Sequence, residues 1–583
     1  MIKQMRFKLG VTFEACFQNE ERKTLDDYLS GISRDTLLKT GSHFLGFDTE
    51  KSKYSDVVAF MNMFFSQGNR DFAQETYKNL LNYVEEAEYD VADYEIPYVG
   101  SSLLFFEYVF DNVSEDVVTE KSNEEMERDI FKAYIHLNQM AFTDRGIAQK
   151  EADEKSGIKF TPAQALLMLQ FHNYDFINYR TDKVFTCQFL RAVSYFEFLS
   201  SIERCESLLK AFYEYYGVEN YNDYLRRLLG ITYSVLMKDK ETHTEIHLED
   251  PSHEDFIDKH MLSSDEVAEE LDFVTLRSKP LYKVGDLQYR IISPLFVIEM
   301  IYNGLYFRLK LINENLSDDQ KVKGLYGLKT YEYSEQYALD TLLKEIFGNR
   351  YLQKSGKELD ELMNGAPDYY IRNGKRAMLF ESKDILISKE SKISPDYTVL
   401  EEELRLKLFE NQKGSPKAVI QLATNIETLL KGEAAYDPQF PFKKGIIRPV
   451  LVVHYRMFNT AGTNSIVNDW FRDELTKLEE NGLDVSRVQD LIIIDIDTLM
   501  FNKEALQSKK LNLWDVLMEY QEDYLRFDLS KAKPKPRSES EGIAMLKSSY
   551  KPFSFYLDDK VEKLKLTRTP KELLEKAAPL FPE

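Results

Sequence analysis

The sequence predicts several domains: a mostly helical N-terminal half, then a C-terminal α/β domain whose mixed sheet is flanked by helices. Its 583 residues exceed what one hydrophobic core usually fills, so two to four domains are expected. Apolar residues recur at three- and four-residue spacing in the first part of the chain, whereas helical and strand patterns alternate later. We therefore divide the chain into residues 1–240, 241–330, 331–530 and 531–583.

The composition narrows the class of protein. With 43% hydrophobic and 30% charged residues, the chain is not collagen-like, of low complexity or wholly disordered. Its three cysteines, Cys16, Cys187 and Cys205, cannot form a disulfide framework and share no metal-ligand spacing. The first residues lack the apolar segment of a secretory signal, and no run of about eighteen apolar residues occurs. We expect a cytoplasmic protein without a membrane partner.

The charge balance limits how the chain can bind nucleic acid. It has 75 Lys and Arg against 98 Asp and Glu, a formal net charge of −23. Affinity for phosphate comes from Lys and Arg, so any nucleic-acid site must be a local basic patch on an acidic body. This balance still allows a metal-dependent nuclease, because the active site of such an enzyme is itself acidic.

Residues 1–240 are predicted to form a helical domain for recognition or partner binding. Thr161 and Pro162 supply an N-cap followed by proline at the first helical position. No fixed-period repeat occurs, which argues against a solenoid. The helical patterns cover residues 55–67, 70–88, 123–142, 161–177 and 185–202.

Residues 241–330 are predicted to form an acidic connector and a bridging hairpin and helix. The connector is very acidic and is expected to be a loose segment or a charged helical face. His243 and His247 lie one helical turn apart, but the glutamate of a zinc peptidase would directly follow the first histidine. A solvated segment is therefore favoured over a zinc site. Residues 281–292 then predict a hairpin with Gly285 near its turn, and a helix follows.

Residues 331–530 alternate between helix and strand, which predicts a sheet covered on both faces. Residues 531–583 are predicted to be a linker and a short tail. The predicted elements of the α/β domain are a helix over 334–348, two strands joined at 373–374, helices near 397–411 and 415–431, a strand over 445–455, a helix over 464–482 and a strand over 490–500.

The candidate chemistry lies in the predicted hairpin. The Asn-Gly pair at 373–374 predicts a two-residue type I′ turn. Arg372 then faces Lys375, and Asp368 lies opposite Leu379. The two strands thereby acquire a defined register, which determines the side chains that share a face of the sheet.

In that register, Asp368, Glu381 and Lys383 project together, with the two carboxylates diagonal neighbours about 7–8 Å apart at the backbone. Two carboxylates at this spacing can hold one hard cation. Mg²⁺, with Mn²⁺ as a substitute, takes oxygen ligands and keeps several waters. Such an ion lowers the pKa of a bound water and neutralises charge during phosphodiester hydrolysis. The lysine can orient the attacking water or hold the scissile phosphate.

Pro367 and Asp368, followed by Glu381, Ser382 and Lys383, resemble the motif that names the PD-(D/E)XK nuclease superfamily, the restriction-endonuclease-like fold. The resemblance covers the C-terminal α/β domain and not the helical half. It implies that Asp368, Glu381 and the main-chain oxygen of Ser382 are metal ligands. It also implies that Lys383 is the catalytic lysine.

Members of this superfamily often add a glutamate from the preceding helix. Glu335 is the best match, with Ser334 as the predicted N-cap of that helix, and Glu345 is the fallback. Gln421 lies where some members have a helical glutamine. Asn425 stands where the exonuclease-type subgroup has a tyrosine, which argues against that subgroup.

Three further features complete the site prediction. His454 follows an apolar strand, where a histidine is more often structural than a general base. No glycine-rich phosphate loop occurs, so an ATP-driven mechanism is not expected. Basic side chains around the motif are expected to form the local patch that a nuclease on an acidic body needs: Arg372, Lys375, Arg376, Lys389 and Lys392.

The sequence thus predicts a metal-dependent nuclease, with DNA as the expected substrate. The superfamily resemblance adds a role in restriction or phage defence, by analogy with other nucleases fused to large helical domains. Cleavage of both strands by one such site per chain would require a homodimer, and the helical half could bind a protein partner. The alternative is a non-catalytic protein of nuclease fold that binds nucleic acid or a protein partner.

Overall fold

A computed structural model describes residues 9–45, 56–87, 89–157, 159–177, 179–236, 245–263, 273–526, 539–567 and 569–581. Within these ranges the chain has the predicted fold class, with helices concentrated in the N-terminal half and a mixed five-stranded sheet in the C-terminal part. No helix in the same ranges is both long and apolar enough to cross a membrane.

The strands of the described residues belong to three sheets. They are β1 (Leu9–Gly10), β2 (Tyr94–Glu95), β3 (Glu245–His247), β4 (Leu281–Gly285), β5 (Gln288–Ile291), β6 (Leu352–Ser355), β7 (Tyr369–Asn373), β8 (Arg376–Lys383), β9 (Ile446–Val453) and β10 (Ile492–Asp495).

The α-helices of the described residues alternate with these strands in the C-terminal part and dominate before it. They are α1 (Phe13–Cys16), α2 (Leu25–Leu29), α3 (Arg34–Leu45), α4 (Val57–Phe64), α5 (Arg70–Glu86), α6 (Val99–Asn112), α7 (Asn123–Gln139), α8 (Arg145–Ser156), α9 (Pro162–Gln170), α10 (Tyr174–Ile177), α11 (Thr181–Ser200), α12 (Glu206–Tyr216), α13 (Tyr221–Leu236), α14 (Glu254–Asp258), α15 (Val274–Ser278), α16 (Pro294–Glu299), α17 (Leu305–Asn315), α18 (Leu325–Gly327), α19 (Asp340–Phe347), α20 (Gly356–Asp360), α21 (Lys389–Ile393), α22 (Tyr397–Leu408), α23 (Ala418–Lys431), α24 (Thr463–Glu480), α25 (Ile496–Phe501), α26 (Lys503–Gln507), α27 (Leu513–Tyr520), α28 (Glu539–Ser549), α29 (Phe553–Lys563) and α30 (Lys571–Ala577).

The five-stranded sheet has the order β10-β9-β8-β7-β6. Strands β6, β7 and β8 pair antiparallel, whereas β8, β9 and β10 pair parallel. The carboxyl ends of β8, β9 and β10 therefore meet at one edge. Because β7 runs the other way, its first residue lies at the same edge. In open α/β sheets, ligands bind at the carboxyl ends of the strands.

Each face of this sheet is covered by helices that are distant in sequence. On one face, α22, α23 and α24 pack on the sheet together with α9, through residues such as Leu167. On the other face, α19, α25 and α27 pack together with α29, through residues such as Phe553. Helix α9 comes from the predicted N-terminal domain and α29 from the predicted tail. The packing therefore crosses both of those sequence boundaries, and α29 of the predicted tail contributes to the core of the α/β domain.

Most helices of the N-terminal half share a third core with the hairpin of β4 and β5. The predicted hairpin over 281–292 is present. Within the acidic connector, Glu245–His247 form β3 and pair with β5, which was not predicted, whereas Glu254–Asp258 form the helix α14. Residues 264–272 of the connector lie outside the described residues. His243 and residues 531–537, the basic part of the predicted linker, lie outside the described residues.

Two predicted boundaries are wrong. The strand expected over 490–500 ends at Asp495, whose side chain accepts a hydrogen bond from the Thr498 N–H at 2.9 Å and so starts α25. The helix expected to begin at Ser334 instead continues from an earlier start, because residues Leu328–Leu339 are π-helical and lead directly into α19. The N-cap of α9 at Thr161 is as predicted.

Candidate functional site

The register of the β7–β8 hairpin differs from the predicted one. Asn373 pairs with Arg376, so the turn residues are Gly374 and Lys375 instead of the Asn-Gly pair. Gly374 has a φ of +60°, as a turn with glycine at its first central position requires. Each residue before the turn consequently pairs two positions further along β8 than predicted. Because this shift is even, every side chain keeps its predicted face of the sheet.

The corrected register brings the two carboxylates of the motif closer together. Continuing the pairing of β7 with β8 by one position places Asp368 opposite Glu381 instead of Leu379. The backbone N–H of Ser382 donates a hydrogen bond to Asp368 Oδ2 at 2.6 Å. Asp368 is therefore held directly against the end of β8.

The lysine of the motif contacts the glutamate two residues before it. Lys383 Nζ donates to Glu381 Oε1 at 2.6 Å. The Glu381 side chain is 2% exposed and that of Lys383 is 16% exposed. The pair thus lies at a nearly water-free strand end, with the lysine on the more accessible side.

Glu335 reaches the same place from the π-helical segment. A side-chain hydrogen bond joins Glu335 to Asp368. The fallback candidate, Glu345, instead lies in α19 and pairs with Lys503 at 2.5 Å on the surface. The structure therefore brings Glu335, Asp368, Glu381 and Lys383 together and leaves Glu345 apart.

The electrostatics of this group are those of crowded negative charge. Burial is the main cause, and the charge of Asp368 the second, that raises the pKa of Glu335 to about 9 and that of Glu381 to about 8. Burial also raises the pKa of Asp368, although Lys383 and the Ser382 N–H oppose this. Burial alone would lower the pKa of Lys383, but the carboxylates of Glu381 and Asp368 outweigh it and raise that pKa.

The chemistry of these donors fits a hard divalent cation. Glu335, Asp368 and Glu381 offer only oxygen atoms, the ligands that Mg²⁺ and Mn²⁺ take. Their raised pKa values come first from burial, to which the neighbouring carboxylates add for Glu335 and Glu381. Their arrangement is less complete: the described ranges contain no group of three or more His, Cys, Asp or Glu residues spaced to hold a metal ion. With Lys383 on Glu381 and the Ser382 N–H on Asp368, protein donors satisfy carboxylate oxygens that a cation would need.

A second buried cluster, not predicted from the sequence, lies directly beside the first. Lys329 Nζ donates to Asp384 Oδ1 at 2.8 Å, and their side chains are only 6% and 1% exposed. Ser334 Oγ donates to Asp384 Oδ2 at 2.6 Å. Asp384 directly follows the catalytic lysine candidate, and Ser334 directly precedes Glu335. This cluster therefore ties the two elements that carry the candidate site to each other.

The π-helical winding explains how one aspartate binds both partners. Lys329 and Ser334 are five residues apart within Leu328–Leu339. In a π-helix, hydrogen bonds run from residue i to i+5, so residues five apart lie on the same side of the helix. In an α-helix, with 3.6 residues per turn, they would be about 140° apart. Single-turn π segments are frequent at functional sites, and this one is longer.

His454 is structural, in the sense that it is buried and hydrogen-bonded. Its Nε2 shares a hydrogen bond of 3.0 Å with Ser382 Oγ, and burial lowers its pKa to about 3. Asn425 Nδ2 donates to the carbonyl of Gly365 at 2.8 Å and so holds the loop that leads to Asp368. Gln421 Oε1 is buried without a partner among the described residues.

The predicted basic patch is not beside the site. The hairpin residues Arg372, Lys375 and Arg376 lie at the turn, and β8 extends seven residue steps, about 23 Å, from there to Lys383. Arg372 forms an ion pair with Asp437, with 2.5 Å between Nε and Oδ2. Of the other members, Lys392 is buried near Asp175, and Lys389 opens α21, six residues after Lys383 in sequence.

No family model, curated protein or solved structure matched the chain. Its own geometry therefore carries the functional argument. The sequence signal for the second cluster was present but weak, because a single Asp after the motif has no recognisable spacing to a lysine fifty-five residues earlier.

We predict that stability in EDTA falls as the pH rises from about 5 to about 9. The folded-state pKa values of Glu335 and Glu381 exceed the ordinary value of 4.5, so the folded protein binds these protons more tightly than the unfolded chain does. Their stabilisation is complete below pH 4.5 and is lost as the pH passes through the folded values. Urea unfolding at each pH, followed by tryptophan fluorescence, measures it, because Trp470 and Trp514 pack on the two faces of the sheet.

The variants Glu335→Gln and Glu381→Gln serve as comparisons for that slope. Each removes one titrating carboxyl and should flatten the fall in unfolding free energy above pH 6. Glu345→Gln, at the surface, should leave the slope unchanged. If both site variants keep the wild-type slope, the assigned pKa shifts are wrong.

We further predict that Asp384→Asn lowers the unfolding free energy by about 3–5 kcal/mol, because it leaves the Lys329 charge buried without a counter-charge. Combining it with Lys329→Met removes that charge and should restore part of the loss. The exposed pair of Glu427 and Lys431 provides the control, since Glu427→Gln should change stability by at most about 0.5 kcal/mol. A double variant no more stable than Asp384→Asn would contradict the prediction.

Proposed function

We propose that this chain is a metal-dependent nuclease that hydrolyses phosphodiester bonds, with DNA as the expected substrate. The single observation that supports this most is the convergence of Glu335, Asp368, Glu381 and Lys383 at one edge of a mixed sheet. These side chains come from a helical segment and two paired strands, and the parallel strands of that sheet end at the same edge. Their residue types and order resemble those of PD-(D/E)XK nucleases.

In this proposal Asp368, Glu381, Glu335 and the main-chain oxygen of Ser382 would hold Mg²⁺ or Mn²⁺. A bound divalent ion supplies Lewis acidity and a water of lowered pKa. The protein contributes a preorganised charge: Lys383 remains an ammonium group because the carboxylates raise its pKa. An ammonium at the accessible side of the site can hold a phosphate oxygen while charge builds up on it. Glu335 and Glu381 must give up protons before they can act as ligands.

The biological role that we propose is restriction or phage defence in the cytoplasm, by analogy with other nucleases joined to large helical domains. The helical half would then recognise a partner or part of the substrate. A homodimer would place two such sites on a duplex for cleavage of both strands.

Two observations favour the alternative, that the chain is a non-catalytic protein of nuclease fold. Glu381 is almost fully buried and bound by Lys383, and no metal-spaced group occurs in the described part of the chain. In that case the site would serve binding alone, and no metal would produce cleavage.

The proposal predicts cleavage in Mg²⁺ or Mn²⁺ and none in EDTA. Supercoiled plasmid, linear duplex, single-stranded DNA and RNA should be tested in parallel, so that the substrate and the position of cleavage are read from the same gels. Asp368→Asn and Glu381→Gln should each abolish cleavage, because they remove a ligand charge without a change in size. Glu345→Gln is the matched control and should retain full activity. Wild-type-like cleavage by either site variant would refute the assignment.

Lys383→Ala separates binding from chemistry. We predict a loss of about 10²–10³ in cleavage rate, as is typical when a preorganised charged group is removed, with nearly unchanged affinity, since one lysine adds only about one counterion to the salt dependence. A gel shift in Ca²⁺ and a cleavage time course in Mg²⁺ measure the two effects. Lys375→Ala, at the distant hairpin turn, is the control. Equal losses of rate and affinity would make Lys383 a docking residue instead.

A further inference from the structure

A row of aromatic side chains on the surface lies beside the candidate site. We call Tyr306, Phe307, Tyr326 and Tyr331 the aromatic strip. Phe307, Tyr326 and Tyr331 are 52%, 57% and 46% exposed. The ring centroids of Phe307 and Tyr306 are 5.3 Å apart, and those of Tyr306 and Tyr326 are 6.3 Å apart. Tyr331 follows Tyr326 by about one turn of the same helical segment.

The strip leads directly to the carboxylates. The Tyr331 hydroxyl lies 3.5 Å from Asp360 Oδ2, and the charges of Asp360, Glu335 and Asp368 help burial to raise the Tyr331 pKa. At the other side, the ammonium of Lys329 lies 5.7 Å from the centroid of the Tyr306 ring. The Asp384 charge helps burial to raise the pKa of Tyr326 and that of Tyr306, whereas Lys329 opposes this rise. The aromatic strip is therefore continuous with the candidate site and not a scattered set of surface residues.

Exposed aromatic rings of this kind are a surface on which unpaired bases stack. Every base has a flat face, so the interaction is tolerant of sequence, and it does not depend on phosphate charge. This matters for a chain of net charge −23, which cannot gain affinity by covering itself with lysine and arginine. A duplex hides its base faces within the helix, so it cannot use the strip except at its ends.

Two exposed lysines lie close in sequence to the strip and to Asp360, which contacts its Tyr331. Lys323 lies three residues before Tyr326, and Lys357 lies three residues before Asp360. Both lysines are exposed, and neither forms an ion pair within the ranges that the structure covers. They offer positive charge to the phosphates of a strand whose bases lie on the rings.

We propose that the aromatic strip binds unpaired bases of a single nucleic-acid strand, DNA or RNA, and leads that strand into the carboxylate site. The delivery of the strand to the carboxylate site rests on the proposed nuclease function. The stacking of bases on the strip does not depend on that function. The nuclease that results acts on single strands, on frayed ends or on bases extruded from a duplex.

The test is binding in EDTA, where no metal-dependent cleavage occurs. Fluorescence anisotropy of labelled oligo-dT, oligo-U and a duplex of equal length should be measured with the full chain. We expect the single strands to bind at least about tenfold more tightly than the duplex. Tyr326→Ala and Tyr331→Ala should each weaken single-strand binding about tenfold. Comparison of oligo-dT with oligo-U shows which sugar the strip prefers.

Matched variants separate stacking from other effects of the change. Tyr326→Phe and Tyr331→Phe keep the ring and should bind as the wild type does. Tyr233→Ala, which alters a tyrosine of similar exposure (60%) on α13, should also leave binding unchanged. Equal binding by the wild type and the alanine variants of the strip would overturn the proposal. So would preferential binding of the duplex, or a wild type that binds neither single strand and instead needs a protein partner at this surface.

The outcome is independent of the nuclease assay. If single strands bind through the strip but no cleavage occurs in any metal, the stacking stands and the nuclease proposal fails. If cleavage occurs with equal efficiency in wild type and in Tyr331→Ala, the site is a nuclease and the strip does not deliver its substrate.

Discussion

A lysine ammonium and an aspartate carboxylate that are both withdrawn from water cannot be separated without leaving a charge in a place that cannot solvate it. Lys329 and Asp384 are such a pair, and the geometry of the candidate site depends on them. Asp384 fixes the end of β8, which carries Glu381 and Lys383. Lys329 and Ser334 fix the π-helical segment, which carries Glu335. The distance between the two halves of the site is therefore set by a contact that lies outside it.

The site itself combines two opposing requirements. Four charged groups are crowded where water is scarce, and in the absence of a cation the protein tolerates them by retaining protons on carboxylates and by placing Lys383 on Glu381. Those protons and that contact keep the carboxylates from acting as ligands at the same time. A cation would compete with the protons and with the lysine for the carboxylate oxygens. Binding of a metal ion is therefore coupled to release of Lys383 from Glu381.

Much of this architecture follows from patterns that the sequence displays. Alternation of helix and strand predicts the α/β class. Side chains alternate between the two faces of a strand, so Asp368, Glu381 and Lys383 were correctly predicted to share a face. The turn was misplaced, but a register shift of two residues leaves every side chain on its predicted face. Contacts between residues distant in sequence have no comparable pattern in the sequence from which they could be predicted. The sequence predicts that the Ser334 hydroxyl caps a helix, yet in the structure it donates a hydrogen bond to Asp384. The basic hairpin residues are near the motif in sequence but far from Lys383 along an extended strand. That α9 and α29 cover the sheet likewise depends on tertiary packing that local periodicity does not encode.

The two helices that cover the sheet from distant parts of the chain, α9 and α29, also bear on the timing of synthesis. Roughly 390 residues separate the end of one from the end of the other, which a ribosome adding about 5–20 residues per second needs about 20–80 s to translate. In the later part of that interval, once Lys383 has been added, β8 and the carboxylates exist, but the second face of their sheet still lacks Phe553 and its neighbours. Helix α29 thus completes the support for a site whose residues were made before it, and the hydrophobic core on this face of the sheet is finished only after that helix has been synthesised.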